Sequence, residues 1–315
     1  MYLLLTQLIL PVLLLLWLAV LPASGWLALC IQILTVAAIL FGLSLVGLWV
    51  TPPHWFRILY WCSLAAILIA HVYGGRLRLE SPWLAGRLES GFLLMIVLLG
   101  LVGLYLGTLA LMGRQAPDVE TVDISPPFRS GRYLVAHGGS NTAVNVHLRT
   151  LNPEQQQFTQ WRGQSRALDL FKIDDLGLHM HAWFAANPEH YVTYGAEVVA
   201  PCDGRVALVK DGVADNEVPQ MNRDEMAGNF VALECEDYYL ILAHLRAGSI
   251  EVQPGQQIVA GASIGVVGNS GNSSEPHLHV HAQRGLPAQA PLSGEPVAIT
   301  IDGRFPVRND RIVVP

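Results

Sequence analysis

Charge is what this sequence has least of. Of its 315 residues only 14% are Asp, Glu, Lys or Arg, where an ordinary soluble domain carries about 25%. No lysine occurs in the first 115 residues, which hold five arginines and two glutamates. There are four cysteines and no Cys-x-x-Cys pair, which argues against a thiolate zinc site. Neither a phosphate-cradling P-loop nor a basic cluster is present, so nucleotide chemistry and a nucleic-acid partner are excluded. What is abundant is apolar surface: 52% hydrophobic residues and a mean hydropathy of +0.38. That excludes a disordered chain and makes a wholly soluble enzyme a poor reading.

The scarcity is uneven. Residues 1–115 carry a net +3, whereas 116–315 hold 14 basic and 23 acidic residues, a net −9. The chain therefore divides into a membrane segment (1–115), a Pro-containing linker (116–130) without hydrophobic period, and a domain (131–315). Four stretches approach the ~20 apolar residues of a membrane span: Leu3–Val20, Trp26–Val50, Arg57–Tyr73 and Gly91–Met112. The first contains Pro11, tolerated in spans. Ala23-Ser24-Gly25 would suit signal-peptide cleavage, but the positive n-region is missing. Arg76, Arg78 and Arg87 gather in the loop between spans three and four. Placed in the cytoplasm, that loop puts the N-terminus and the C-terminal domain outside; Arg114 points weakly the other way. Trp26, Trp49, Trp55, Trp61 and Trp83 read as an interfacial belt. Gly103 and Gly107 form a small-xxx-small pair suited to close helix packing. No ionisable residue sits centrally in a span, so the segment reads as an anchor.

Beyond the linker the chain breaks into short β-prone runs bounded by Gly, Pro, Asn or Asp. They are Tyr133–Ala136, Glu197–Ala200, Arg205–Lys210, Phe230–Glu234, Tyr238–Ala243, Gln257–Val259, Ser263–Val267 and His277–Ala282. No long amphipathic helix stands out. The expected fold is an N-terminal all-α membrane segment of four transmembrane helices, followed by a mainly-β domain. Cys30 and Cys62 fall in spans. Cys202 and Cys235 permit one disulfide in an exported domain, although spacing does not show it.

Three features carry chemistry. Pro276-His277-Leu278-His279-Val280-His281 would place three imidazoles on one face of a strand, as a zinc site with a free neighbouring base requires; a solvated polar face is the bland reading. Asp169, in Arg166-Ala167-Leu168-Asp169-Leu170, is a carboxylate among apolar residues and needs a partner, whether metal, arginine or backbone donors. His244 ends an apolar strand, where a lone histidine is usually core.

Together these residues resemble the LytM/lysostaphin-type zinc metallopeptidases, which hydrolyse peptide bonds of bacterial peptidoglycan. The likeness runs through Gly195–Pro201, Asp203-Gly204-Arg205-Val206, Gly228-Asn229-Phe230-Val231, Ala243-His244-Leu245, Val252–Gln256, Gly268-Asn269-Ser270-Gly271 and Pro276-His277-Leu278-His279. It implies a duplicated hybrid motif fold and one Zn²⁺ held by Asp169 and His279. His277 and His244 become the catalytic histidines. The family's usual third ligand lies four residues before the Asp, where this chain has Ser165. The resemblance then points to His147, in a Gly138–His147 segment like that of some relatives, with His137 as rival. His179 and His181 read as cleft rim or surface, and His190 as surface. The turn 268–274 and the insertion 211–227 would border the cleft.

The apolar spans and the loop charges, taken with the resemblance, lead to the expectation of a multi-pass protein of the bacterial cytoplasmic (inner) membrane, with its peptidase domain periplasmic or extracellular. Its partners would be a peptidoglycan peptide and the lipid bilayer; oligomeric state stays open. A degenerate relative that activates or scaffolds other wall hydrolases is the alternative. A sugar-phosphotransferase domain with a phosphorylated histidine is a third class, which would have to be cytoplasmic.

Overall fold

The computed structural model describes residues 2–20, 23, 25–74, 87–182 and 185–315. Arg76, Arg78, Trp83 and Ser24 lie outside the described residues. The chain forms two compact units, Met1–Met112 and Gly113–Pro315.

The first unit is helical. Trp26–Val46, Phe56–Tyr73 and the Gly91–Met112 part of the helix Arg87–Met112 are long and apolar enough to cross a membrane. Four spans were expected, and the first stretch falls short: its apolar helix, Leu5–Val20, rises only ~24 Å at ~1.5 Å per residue, against a ~30 Å hydrocarbon core. A π-helical turn, Leu5–Ile9, precedes Pro11 in it. Pro11 has no N–H for the carbonyl of Gln7 four residues back. That oxygen instead accepts the Tyr60 hydroxyl at 2.8 Å. Gly103 lets two helices meet backbone to backbone: a Cβ there would come within 2.8 Å of the Ala38 carbonyl oxygen and of Ile39 Cα.

The second unit is mainly β. Its strands are β1 (Thr121–Ile124), β2 (Gly131–His137), β3 (Leu168–Ile173), β4 (Glu197–Val199), β5 (Gly204–Lys210) and β6 (Asn229–Cys235). They continue as β7 (Tyr238–Leu245), β8 (Gln257–Ile258), β9 (Ser263–Val266), β10 (Leu278–Arg284), β11 (Glu295–Ile301) and β12 (Arg311–Val314). A large sheet runs β12-β2-β3-β10-β7-β6-β5-β8, with β11 on the end of β10 and β1 parallel to β11; β4 and β9 form a small second sheet. Strand β1 lies inside the stretch read as linker. Leu278, Val280 and Ala282 of β10 enter a core shared with Leu240, Leu242, Val231 and, from the small sheet, Val198 and Ile264. The opposite sheet face is left to the histidines and to a smaller apolar cluster of Phe230, Ala232, Ile241, Ala243 and Leu292. Two 3₁₀ segments, Val146–Leu151 and Gln156–Arg166, complete this side. Cys202 and Cys235 are joined as a disulfide, Cα atoms 6.1 Å apart, a separation ordinary for such bridges.

Candidate metal centre and active site

Strand pairing sets the first row of the site. His137 of β2 stands opposite Asp169 of β3, which stands opposite His279 of β10, which faces Ala243 of β7. Because strand side chains alternate, His279, His281 and Gln283 share the face opposite the core. His277, just ahead of β10, reaches the same place, its Nε2 3.5 Å from Asp169 Oδ1. His244 should by alternation point away from Ala243's face. It does not, because the β6–β7 ladder slips one residue between Asn229 and Phe230, and His244 takes a left-handed φ of 63°. A bulge of this kind re-aims one side chain. The His244 ring sits with its centre 4.8 Å from that of His277 and 5.6 Å from that of His279. The bulge is stapled by Asn229, whose Nδ2 donates to the Leu245 and Val213 carbonyls at 2.9 and 2.8 Å.

His147 arrives from the first 3₁₀ segment. Asn145 caps that segment, accepting the backbone N–H of His147 at 3.1 Å. The Nδ2 of Asn145 donates to the Ala167 carbonyl at 3.0 Å, so its Oδ1 can only accept, and it lies 3.1 Å from His147 Nδ1. The imidazole proton therefore sits on Nδ1, leaving a lone pair on Nε2, 3.5 Å from Asp169 Oδ2. On the other side His279 Nδ1 lies 3.0 Å from Asp169 Oδ1. His277 and His244 are anchored alike through Nδ1, to the carbonyls of Glu275 and Ser270, each at 2.8 Å. Both therefore present a bare Nε2. The turn 268–274 and the insertion 211–227 hold these carbonyls in place: Asn216 Nδ2 donates to the Asn269 and Gly271 oxygens at 2.8 and 2.7 Å.

The charges fit one cation. Burial by itself would raise the Asp169 carboxyl, but His147 and His277 beside it hold it well below the usual carboxylate range. Burial pushes His147 down to about 4 although Asp169 opposes this, and takes His244 well below its ordinary value. Burial lowers His277 too, but Asp169 outweighs it and the net shift is upward. An ionised carboxylate thus meets, in His147, an imidazole that burial keeps neutral. His147, Asp169 and His279 each offer a ligand atom, all within 4.8 Å of one another. Tetrahedral Zn²⁺ with bonds of about 2.0–2.1 Å sets neighbouring donors about 3.3 Å apart; His279 Nδ1 is 3.0 Å from one oxygen of Asp169 and His147 Nε2 is 3.5 Å from the other. Two imidazoles and a carboxylate leave the fourth position open.

His137 lies in the same row, its ring 5.6 Å from that of His147, but its Nδ1 is 2.8 Å from Nη2 of Arg308. A guanidinium only donates, so His137 Nδ1 accepts and the neutral ring carries its proton on Nε2. Arg308 also donates to the Ala136 and Ala143 carbonyls at 3.0 and 3.2 Å. Ser165, at the position of the family's usual ligand, is buried and spent on the Arg162 carbonyl and on Thr150. His179 departs from the surface reading. It is buried, 3.4 Å from Glu275 through Nε2, and edges Phe171, which stacks on His277 at 5.3 Å. His181 and His190 are exposed. Sequence reasoning missed Asn145, Arg308 and Gln283. Only the Asn145-x-His147 spacing, a cap beside a candidate ligand, carried a signal.

Residues 189–291 match Peptidase family M23; the match takes in His244, His277 and His279 and stops short of Asp169 and His147. Over 108 residues the chain is 31% identical to the peptidoglycan DD-endopeptidase ShyA of Vibrio cholerae serotype O1, covering 34% of this chain and 24% of that protein. The chain thus spans about a quarter of that relative's length. Among solved structures it is similar to a zinc-containing peptidase from Vibrio cholerae: 22% identity, TM-score 0.25, 40% of this chain and 37% of that one. It is also similar to the catalytic domain of lysostaphin from Staphylococcus simulans: 20% identity, TM-score 0.21, 34% and 78% covered. Residues 189–291 of this chain are a Peptidase family M23 domain.

Proposed function

We propose that this protein is a membrane-anchored zinc metallopeptidase that hydrolyses peptide bonds of peptidoglycan, in cross-links or stem peptides, with its peptidase domain outside the cytoplasmic membrane. One observation carries the reading. The lone pair of His147, the Asp169 carboxylate and Nδ1 of His279 converge, and the anchored Nε2 atoms of His277 and His244 stand beside them. A structural zinc site would not keep two further imidazoles with free lone pairs at its open side.

His147, Asp169 and His279 would hold one Zn²⁺. When bound, the ion acidifies water and polarises the carbonyl of the scissile amide. The remaining work belongs to the chain. His277, nearer to Asp169, takes a proton from the attacking water on Nε2 and returns it to the departing amine, as a general base and then acid. The C–O bond forms first, giving a tetrahedral oxyanion, and the C–N bond then breaks as the nitrogen takes the proton, leaving a carboxylate and an amine. His244 holds the water through its own Nε2 or, once protonated, donates to the developing oxyanion. The Glu275 and Ser270 carbonyls keep both rings from turning.

The apolar helices Trp26–Val46, Phe56–Tyr73 and Gly91–Met112 support the anchor, with Leu3–Val20 as a fourth span around which the bilayer thins locally. The Cys202–Cys235 bridge supports an oxidising compartment. ShyA's name as a peptidoglycan endopeptidase supports the substrate class. The test separates binding from turnover in the full chain. His279→Ala and Asp169→Ala should lose both zinc and hydrolysis of cross-linked stem peptides. His277→Ala should keep most of the zinc and lose at least about 100-fold in kcat. Undiminished turnover in His277→Ala would remove it from the base role. A non-catalytic activator would show no hydrolysis in the unaltered chain.

A further inference from the structure

His281, the third imidazole of the motif, takes no part in the steps above, yet it is 1% exposed. Its Nδ1 lies 3.1 Å from Nε2 of His279, and its Nε2 lies 3.3 Å from Oε1 of Gln283. The far end of this chain fixes its direction. Gln283 Nε2 is 2.7 Å from both the Gly285 and the Pro291 carbonyl oxygens. Only an amide NH₂ can donate to both, so the oxygen must face His281. Gly163 and Gly294 pack tight against this amide: a Cβ at the first would collide with Oε1, and one at the second would come within 2.7 Å of Nε2.

The protons follow. Gln283 Oε1 accepts, so His281 donates from Nε2. A neutral ring then has a bare Nδ1, which accepts the proton on Nε2 of His279. The opposite order would set the lone pair of His281 Nε2 against that of Gln283. With a cation between them, His279 is left with its lone pair on Nδ1, the atom 3.0 Å from Asp169 Oδ1; without one, Nδ1 would keep a proton for that carboxylate.

We propose that Gln283 and His281 are positioning residues that fix the Nε2–H tautomer of His279 and so hold its Nδ1 ready for a divalent ion. An imidazole ligand commonly has its second nitrogen fixed by a carboxylate, a carbonyl or water, and loss of such a partner weakens metal binding 10–100-fold. Here a second imidazole set by an amide fills that place. This proposal rests on the ligand set proposed above; only the orientation of Gln283 and the donor it takes from His281 stand without it.

The test uses the full chain in detergent, with zinc affinity read by competition against a chromophoric chelator. His281→Leu removes the acceptor and should weaken zinc binding 10–100-fold. His281→Gln offers a side-chain oxygen to the same N–H and should stay within about threefold of the unaltered protein. Thermal melts of the metal-free variants separate this from a folding defect, since both variants should melt alike. Imidazole ¹⁵N shifts of the zinc-loaded chain supply a readout besides affinity: His281 should be the Nε2–H tautomer, its Nδ1 accepting from His279. Equal zinc affinity in His281→Leu, an equal loss in His281→Gln, or an Nδ1–H His281 would each overturn the proposal. An unaltered chain that binds no zinc would defeat the ligand set before the variants are compared.

Discussion

His137 and His147 are ten residues apart, and among their sequence neighbours only Asn145, two residues before His147, hints at which faces Asp169 with a free nitrogen. The distinction comes from partners. Arg308, remote in sequence, puts a donor on His137 Nδ1; Asn145 takes the Nδ1 proton of His147 and frees its Nε2. The candidate residues stood out in the sequence because His277, His279 and His281 alternate along one run and Asp169 sits among apolar neighbours. Their proton states were not, because amides, carbonyls and a guanidinium set them. The expected outcome is that His147→Ala lowers zinc affinity at least about 100-fold, whereas His137→Ala changes it by less than about tenfold. Competition titration of the two variants measures this, and the reverse order would make His137 the ligand.

Among the elements, the β6–β7 bulge matters most for the site. The apolar run ending at His244 reads as a plain strand, in which His244 would be buried in the core. The slip at Asn229 and the positive φ turn it to the other face, a non-local event that no local pattern in β7 announces. Gly228 sits where the turn 268–274 closes on this bulge: its φ is 60°, and a Cβ would meet the Ser270 backbone and Oγ at 2.5 Å. Gly228→Ala should therefore cost about 1–3 kcal/mol in stability, and lower kcat more than it raises KM by displacing Ser270 and His244. A thermal melt with steady-state kinetics checks both, and an unchanged melt and kcat would show that the turn carries no such strain. Strand β1 and the two 3₁₀ segments escaped the sequence for a related reason. Thr121–Ile124 is too short to show alternation and pairs with residues 298–301, and 3₁₀ turns have no amphipathic period to find.

For the whole molecule, composition was the most legible feature. The charge-poor stretch became a helical unit and the acidic remainder a mainly-β unit. The M23 match rests on motifs within β4–β10 and the turns between them. Lengths were less legible: the stretch read as Trp26–Val50 is helical over Trp26–Val46, and among the described residues Leu5–Val20 is shorter than the three candidate spans, since counting apolar residues does not reveal where a helix ends. The proposed topology predicts that an epitope fused after Pro315 is labelled by a membrane-impermeant reagent in intact, outer-membrane-permeabilised cells. Labelling only after lysis would place the domain in the cytoplasm and favour the phosphotransferase class. The central claim, a zinc-dependent peptidase, is tested most directly by stripping the full chain with a chelator and assaying cleavage of cross-linked stem peptides before and after adding Zn²⁺. The account predicts that cleavage is lost on stripping and restored by about one equivalent of zinc; cleavage that survives full removal of the metal, or that zinc never elicits, would contradict it.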